Sequence, residues 1–99
     1  MAQEETAFKG LTRDAGPAGS IEQYGIHFAV DGWELFEGDP GSPHMCRGWF
    51  RSSYPGFGPK RGDRLRLHLR RGDGGERLLD VEIVRASTTE PLWEFVAEL

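Results

Sequence analysis

The sequence predicts an all-β fold, either a small antiparallel β-barrel or a sandwich of about six short strands. Apolar and polar residues alternate over several short segments, as they do in strands that bury one face. The chain contains 14 glycines and 6 prolines in 99 residues, which favours many tight turns. No long segment carries apolar residues at helical spacing. These observations together favour an antiparallel β architecture over a helix bundle.

The length of 99 residues suits one domain with a modest core. Hydrophobic residues make up 37% of the chain, which is too much apolar material for a disordered protein. Residues 1–20 contain few large apolar residues and end in the turn-forming run AGPAGS. We therefore expect residues 1–20 to form a flexible N-terminal tail and residues 21–99 to form a single small β-domain.

The clearest strand pair is a hairpin within residues 63–86. Leucine occupies every second position of residues 64–70, and arginine or histidine fills the others. After a glycine-rich turn, residues 79–83 alternate three apolar residues with two acidic ones. Both segments therefore have the pattern of a strand with one buried and one exposed face.

The alternating faces restrict how these two strands pair. Our preferred register places His68 opposite Asp80 and Arg66 opposite Glu82. A slip by one residue would set leucines against carboxylates, so only even shifts are allowed. A shift of two, which pairs Arg66 with Asp80 and Arg64 with Glu82, stays open. In either register the acidic strand neutralises its basic neighbour.

Three further segments complete the predicted sheet. Residues 21–37 should form the first hairpin, with Asp31 and Gly32 as a type I′ turn. Residues 45–52 should form a strand, with loops before and after it. For residues 92–99 we favour a strand, because aromatic residues come early and a proline precedes them. A helix is the competing interpretation of that C-terminal segment, since its apolar residues also fit helical spacing.

The net charge of −4 is unevenly distributed along the chain. Residues 1–46 carry two basic and eight acidic residues. Residues 47–71 carry eight basic residues and one acidic residue. Residues 72–99 carry two basic and seven acidic residues. The central basic block could face an anionic partner or be neutralised within the fold. The hairpin register favours neutralisation for the arginines of residues 64–70.

The candidate binding segment runs from residue 47 to residue 61 and combines aromatic with basic side chains. Two arginines that flank a tryptophan on one strand face can stack on a ring and bind carboxylate or phosphate. The competing interpretation buries Trp49 in the core. The predicted partner-binding residues are Arg47, Trp49, Arg51, Tyr54, Phe57, Lys60 and Arg61.

These features predict a small, non-enzymatic binding domain of bacterial or phage type that contacts a protein partner. An adaptor, an accessory subunit and an inhibitor or immunity-type protein all fit this description. Binding of a nucleotide or of single-stranded nucleic acid at the same segment is the alternative, because arginine and aromatic side chains also suit that ligand. The oligomeric state is left open.

Catalytic, metal, cofactor and membrane functions find little support in the sequence. Cys46 is the only cysteine, and its spacing from His44 does not provide the four ligands of a zinc site. No phosphate-binding loop or nucleophile motif is present. No segment reaches the roughly 20 apolar residues that span a bilayer, and no signal peptide is evident. We therefore expect a cytoplasmic protein without catalytic residues, metal or cofactor.

Overall fold

The computed structural model describes residues 12–38, 41, 44–54 and 58–98, and this part of the chain is all-β without a helix. The predicted fold class is confirmed, although the strands number eight instead of about six. They are β1 (Thr12–Gly16), β2 (Ala18–Gln23), β3 (Ile26–Val30), β4 (Gly32–Glu37), β5 (Met45–Arg51), β6 (Arg64–Arg70), β7 (Glu76–Ala86) and β8 (Leu92–Glu98).

All eight strands belong to one antiparallel sheet in the order β1-β4-β5-β8-β7-β6-β2-β3. The sheet curls into a half-barrel. A single long hairpin links its two ends. One register runs through this hairpin, from Thr12 opposite Glu37 in β1 and β4 to Gln23 opposite Ile26 in β2 and β3. One arm of this hairpin consists of β1 and β2, and the other of β3 and β4. Beyond the hairpin, β2 also pairs with β6 and β4 with β5.

The turn of this hairpin is formed by Tyr24 and Gly25, which both have positive φ angles, 54° and 77°. The predicted turn at Asp31 and Gly32 is therefore wrong. Between β3 and β4 the chain continues in the same direction. The carboxylate of Asp31 accepts hydrogen bonds from the backbone N–H of Ser53 at 2.8 Å and from its hydroxyl at 2.7 Å. This residue therefore marks a bend that is tied to the chain after β5.

The predicted tail is also wrong for residues 12–20, which belong to β1 and β2; residues 1–11 lie outside the described part of the chain. The run AGPAGS consists of small residues and proline because the backbones pack closely here. A flexible linker has the same composition, so the sequence alone did not distinguish the two. A Cβ atom on Gly16 would lie 2.7 Å from the ring of Trp33, and one on Gly19 would collide with the carbonyl oxygen of His68. Larger residues would separate this arm from β6.

The β6–β7 hairpin adopts the register shifted by two. Arg66 faces Asp80 and Arg64 faces Glu82, so our preferred register is wrong and the open alternative is correct. The side chains of these pairs approach to 3.3 Å and 3.7 Å. Three of these side chains are exposed and that of Glu82 is half-exposed, so each pair contributes little to stability, on the order of 0–1 kcal/mol. The alternation of apolar and charged residues determined which faces of the two strands match. The five-residue turn 71–75 determined which residues are paired.

The core lies on the concave face of the sheet. In β8, Trp93, Phe95 and Ala97 are buried, so the strand interpretation of the C-terminal segment is confirmed and the helix is wrong. The indole N–H of Trp93 donates to the carbonyl oxygen of Pro59 at 3.0 Å, which fastens the loop before β6 to the core. The other large side chains that are fully buried include Trp33, Phe50, Ile21, Leu35, Leu67, Leu69 and Ile83.

A cluster of charged side chains covers one end of this core. Arg77 occupies an inward position opposite Leu69 and pairs with Glu37 and, at 4.0 Å, with Asp14. Arg71 donates to both carboxylate oxygens of Asp14, the shorter bond being 2.8 Å. Burial opposes ionisation of Asp14, but the hydrogen bond and charge of Arg71 outweigh this effect and lower the pKa of the carboxyl below its ordinary value.

We expect Asp14→Asn to lower the melting temperature at neutral pH by several degrees, because the amide cannot balance the charge of Arg71. The pKa of Asp14 is lower in the folded protein than in the unfolded chain. Its contribution to stability is therefore full at neutral pH and is lost as the pH falls through that lowered pKa.

Unfolding by urea at a series of pH values measures this effect. The difference in unfolding free energy between the two proteins should shrink between about pH 5 and about pH 2. Glu98→Gln, at the exposed last position of β8, is the control with the same change in charge. A difference that stays constant over this range would contradict the assigned role of Asp14.

Candidate functional site

The predicted residues of β5 lie on the convex face of the sheet. Cys46 and Phe50 point into the core and are buried, whereas Arg47 is exposed and Trp49 is half-buried. The predicted assignment of faces in β5 is therefore confirmed. The guanidinium carbon of Arg51 lies 5.8 Å from the ring centroid of Trp49, within the range of a cation–π contact. Trp49 is thus neither a core residue nor a freely exposed ring.

Carboxylates surround this part of the β5 face. Trp49 stands opposite Glu34 of β4 and Glu94 of β8, one on each side. Arg51 also pairs with Glu90, at 3.1 Å. The positive charge predicted for this face is therefore largely balanced by its neighbours. Such a mixed surface suits a polar protein contact better than a phosphate group, which the flanking carboxylates would repel.

The structure places Tyr54 and Lys60 in a different setting, beside the turn of the β2–β3 hairpin. The ring of Tyr54 meets that of Phe28 edge to face, with centroids 5.1 Å apart. The hydroxyl of Ser52 donates to the carbonyl oxygen of Ala29 at 2.6 Å, and this bond fixes the chain just before Tyr54. Arg61 is exposed in the same loop as Lys60, and Phe57 lies outside the described residues. The predicted set is therefore divided between two places.

The most exposed apolar surface of the described chain is at this hairpin turn. We call it the hairpin-tip surface and define it by Tyr24, Ile26, Phe28, Tyr54 and Lys60. Tyr24 is 89% exposed, Ile26 57% and Tyr54 52%. Exposed aliphatic and aromatic side chains that cluster in this way commonly mark an interaction site.

A shallow depression of about 380 Å³ lies between the hairpin and the loop before β6. Asp63 organises its floor, because its carboxylate accepts hydrogen bonds from the side chain of Gln23 at 3.3 Å and from the backbone N–H of Lys60 at 2.8 Å. The depression is lined by Gln23, Tyr24, Ile26, Phe28, Gly58, Lys60 and Asp63. The bond from Gln23 joins the loop to the hairpin, and the bond from Lys60 lies within the loop, so the surface is built from segments about forty residues apart.

Tyr24 is held in an unusual backbone conformation. It is the one non-glycine residue with positive φ in the described part of the chain. This conformation is unfavourable for a bulky side chain, and asparagine, aspartate or glycine normally fills it in a type I′ turn. The ring gains almost no packing in return, since it is nearly fully exposed. Strain that local packing does not explain commonly occurs at functional sites.

Sequence reasoning missed Tyr24, Ile26 and Phe28, although a signal for the turn was present. Inward residues fall at odd positions before the turn, as Ile21 does. After the turn they fall at even positions, as Val30 does. A two-residue turn produces this change of phase, because inward positions in a strand recur every second residue. The stronger local motif at Asp31 and Gly32 concealed it.

The described residues offer little for catalysis or metal binding. They contain no group of three or more metal-binding side chains. Burial raises the pKa of the Cys46 thiol, which disfavours the reactive thiolate. The carboxylate of Asp31 accepts hydrogen bonds from the hydroxyl and the backbone N–H of Ser53, and this bonding lowers the pKa of the carboxyl.

Searches of protein families, curated proteins and solved structures found no match to this chain. The described residues include no helix of sufficient length and hydropathy to cross a bilayer.

We expect Tyr24→Asn to raise the free energy of unfolding by about 1 kcal/mol, because asparagine tolerates the left-handed conformation that tyrosine resists. Urea denaturation measures this change. Tyr24→Ala is the matched control, since it removes the ring but keeps an unfavourable side chain at this φ angle. Its stability should stay close to that of the original protein. Strong destabilisation by Tyr24→Ala would show that the ring packs against the fold and is not displayed.

Proposed function

We propose that this protein is a small, non-enzymatic binding domain that contacts a protein partner through the hairpin-tip surface. The supporting observation is the distribution of exposed apolar residues. The described chain exposes five large hydrophobic side chains, and three of them, Tyr24, Ile26 and Tyr54, belong to this surface. An adaptor, an accessory subunit or an inhibitor or immunity-type protein would use such a surface.

The composition of the surface supports a protein partner. Tyrosine is enriched at the centres of protein interfaces, because it buries a large area and offers a hydroxyl for hydrogen bonding. Lys60 and Arg61 add positive charge at the rim, whereas the nearby carboxylate of Asp63 already accepts two hydrogen bonds within the domain. A partner that presents an apolar patch with acidic residues at its edge would complement this surface.

The β5 residues have a secondary role in this proposal. Arg47, Trp49 and Arg51 lie on the strand that leads into Tyr54, so they could extend the contact beyond the hairpin tip. Phe57 is still a predicted partner residue. The cytoplasmic location and the bacterial or phage origin belong to the proposal as well.

Nucleotide or single-stranded nucleic-acid binding is the second candidate. The exposed ring of Tyr24 beside Lys60, and that of Tyr54 against Phe28, could stack on bases while the amine contacts phosphate. The balance of charge around Trp49 and the acidic net charge count against it. Salt distinguishes the two candidates, because binding to phosphates weakens steeply with ionic strength and an apolar protein interface does not.

The test compares the original protein with Ile26→Ser as an immobilised bait in extract of the source organism. A protein captured by the original chain is then purified and titrated against both. We expect Ile26→Ser to weaken binding about tenfold, because it removes a large apolar contact. Its free energy of unfolding should change by no more than about 0.5 kcal/mol, since the side chain is largely exposed.

Val84→Ser is the control, because Val84 is an exposed aliphatic residue on β7 and does not contribute to the hairpin-tip surface. It should bind like the original protein. Equal loss of binding in both variants would contradict the proposed surface. Binding to an oligonucleotide that falls steeply with salt, without a captured protein, would favour the second candidate.

A further inference from the structure

The strand β3 lies at one end of the strand order and pairs with β2 on one side. On its other side, the segment after β5 approaches the end of β3, where the hydroxyl of Ser52 donates to the carbonyl oxygen of Ala29. Among the residues that the structure describes, no further strand pairs with β3 on that side. We call the open side of residues 26–29 the β3 edge. Such an edge can pair with an added extended segment through its backbone groups.

The direction of these backbone groups follows from the bond to Ser52. In the sheet, β5 lies on the side of β4 opposite to β1, and β1 and β2 belong to one arm of the hairpin. Ser52 therefore reaches Ala29 from the side opposite to β2, so the backbone groups of Ala29 point to the β3 edge. Backbone groups point to alternate sides along a strand, so the N–H and C=O of His27 point the same way.

The side chains beside the β3 edge differ between the two faces of the sheet. Ile26 and Phe28 point to the core face, and Ile26 is 57% exposed. Tyr54, which is 52% exposed, lies against the ring of Phe28. His27 and Ala29 point to the opposite face and are exposed. A segment that pairs with this edge would therefore meet apolar side chains on one face and open solvent on the other.

Positive charge lies beyond the start of β3. Lys60 and Arg61 are exposed and have no ion pair with any residue that the structure describes. The backbone N–H of Lys60 donates to the carboxylate of Asp63, which also accepts from Gln23, the residue opposite Ile26. The loop that carries both cations is thus fixed at the tip end of the β3 edge. An acidic group at that end of a bound segment would be complementary.

We propose that the partner contacts the hairpin-tip surface through an extended segment that pairs with the β3 edge in the antiparallel direction. Every strand pair that the structure describes is antiparallel, and such pairs are slightly more stable per residue than parallel ones. The C-terminal end of the segment then lies at the tip, next to Lys60 and Arg61. The segment would alternate apolar with uncharged polar residues and end in acidic ones.

This inference rests on the proposed function, because it specifies which part of the partner meets the hairpin-tip surface. The apolar residues of the segment would cover Ile26 and Tyr54, and its acidic end would meet the two cations. The polar residues between them would stay in water beside His27 and Ala29. A partner that offers a flat apolar patch would satisfy the proposed function but not this inference.

The probe for the test is a short, fluorescein-labelled peptide in which valine alternates with threonine, followed by two glutamates at the C-terminal end. Fluorescence anisotropy measures its affinity for the full chain. The control peptide has the two glutamates at the N-terminal end, so its composition and charge are the same. We expect saturable binding of the first peptide and about tenfold weaker binding of the control. In ¹⁵N-labelled protein, amide shift changes should concentrate at residues 26–29 and 60–61.

Variants at the β3 edge test the backbone pairing. His27→Pro removes the N–H that points to the open side, and an edge strand tolerates proline there. His27→Val is the matched control, because it also removes the imidazole but keeps the N–H. We expect His27→Pro to weaken the peptide at least about tenfold and His27→Val to bind like the original protein.

A variant in the loop tests the assigned direction. Lys60→Gln should weaken the peptide with C-terminal glutamates several-fold. Arg85→Gln, an exposed residue of β7 that pairs with Glu94, changes the net charge equally and should not weaken it. The backbone amide spectrum of His27→Pro checks that this variant is folded, and Lys60→Gln does not depend on that check.

Three results would overturn the inference. The first is the absence of saturable binding by the peptide with C-terminal glutamates. The second is equal affinity for the two peptides, because binding would then depend on composition alone. The third is a set of shift changes away from β3 and its neighbouring loop.

A protein captured from extract separates the inference from the proposed function. Loss of its binding in both Ile26→Ser and His27→Pro, with binding kept in His27→Val, supports both. Loss in Ile26→Ser alone supports the proposed surface and contradicts the pairing at the β3 edge. Unchanged binding in Ile26→Ser contradicts the proposed surface itself.

Discussion

The indole of Trp33 holds together the place where the curled sheet meets itself. Its N–H donates to the carbonyl oxygen of Ala18 at 3.0 Å and to that of Arg70 at 3.2 Å. One donor thereby joins β4, the start of β2 and the end of β6. The ring is fully buried, so water cannot replace these bonds without opening the core. Gly16 is required at the same place, because any side chain there would collide with the Trp33 ring.

This junction explains why the first hairpin continues past its bend at Asp31. Both arms must be long enough for β2 to pair with β6 while β4 pairs with β5. A turn at Asp31 and Gly32 would have shortened the hairpin and left the two ends of the sheet unconnected. The turn is instead at Tyr24 and Gly25, so β2 and β3 form the part of the hairpin that is nearest to the turn. The long hairpin that connects the two ends of the sheet therefore also displays the apolar residues of the hairpin tip.

The sequence was sufficient to predict features that depend on alternation within one segment. The leucines of β6, the two faces of β5 and the strand character of β8 are all of this kind, and all were correct. The pairing register of two strands and the packing between separate segments were not predictable in this way. Alternation permits every even shift, so the β6–β7 register stayed ambiguous until the turn length was known. The small residues of β1 and β2 resembled a linker because their role is to let backbones approach.

Candidate site residues show the same division. The faces of Arg47, Trp49 and Arg51 followed from β5 alone, but the carboxylates opposite them belong to other strands and were not predicted. The contact between Phe28 and Tyr54 joins segments that only the curled sheet brings together. Likewise, Arg71 meets Asp14 across 57 positions of sequence. No local pattern encodes such a pairing, although each partner is an ordinary charged or aromatic residue.

The separation of charge along the chain has a structural consequence that composition alone does not reveal. Much of the central basic block is used within the domain, because Arg64 and Arg66 meet acidic residues of β7 and Arg71 meets Asp14. Positive charge then persists in the exposed loop of Lys60 and Arg61. Internal pairing thus does more than neutralise the block. It leaves a domain with acidic net charge that still presents a basic, aromatic surface at the hairpin tip.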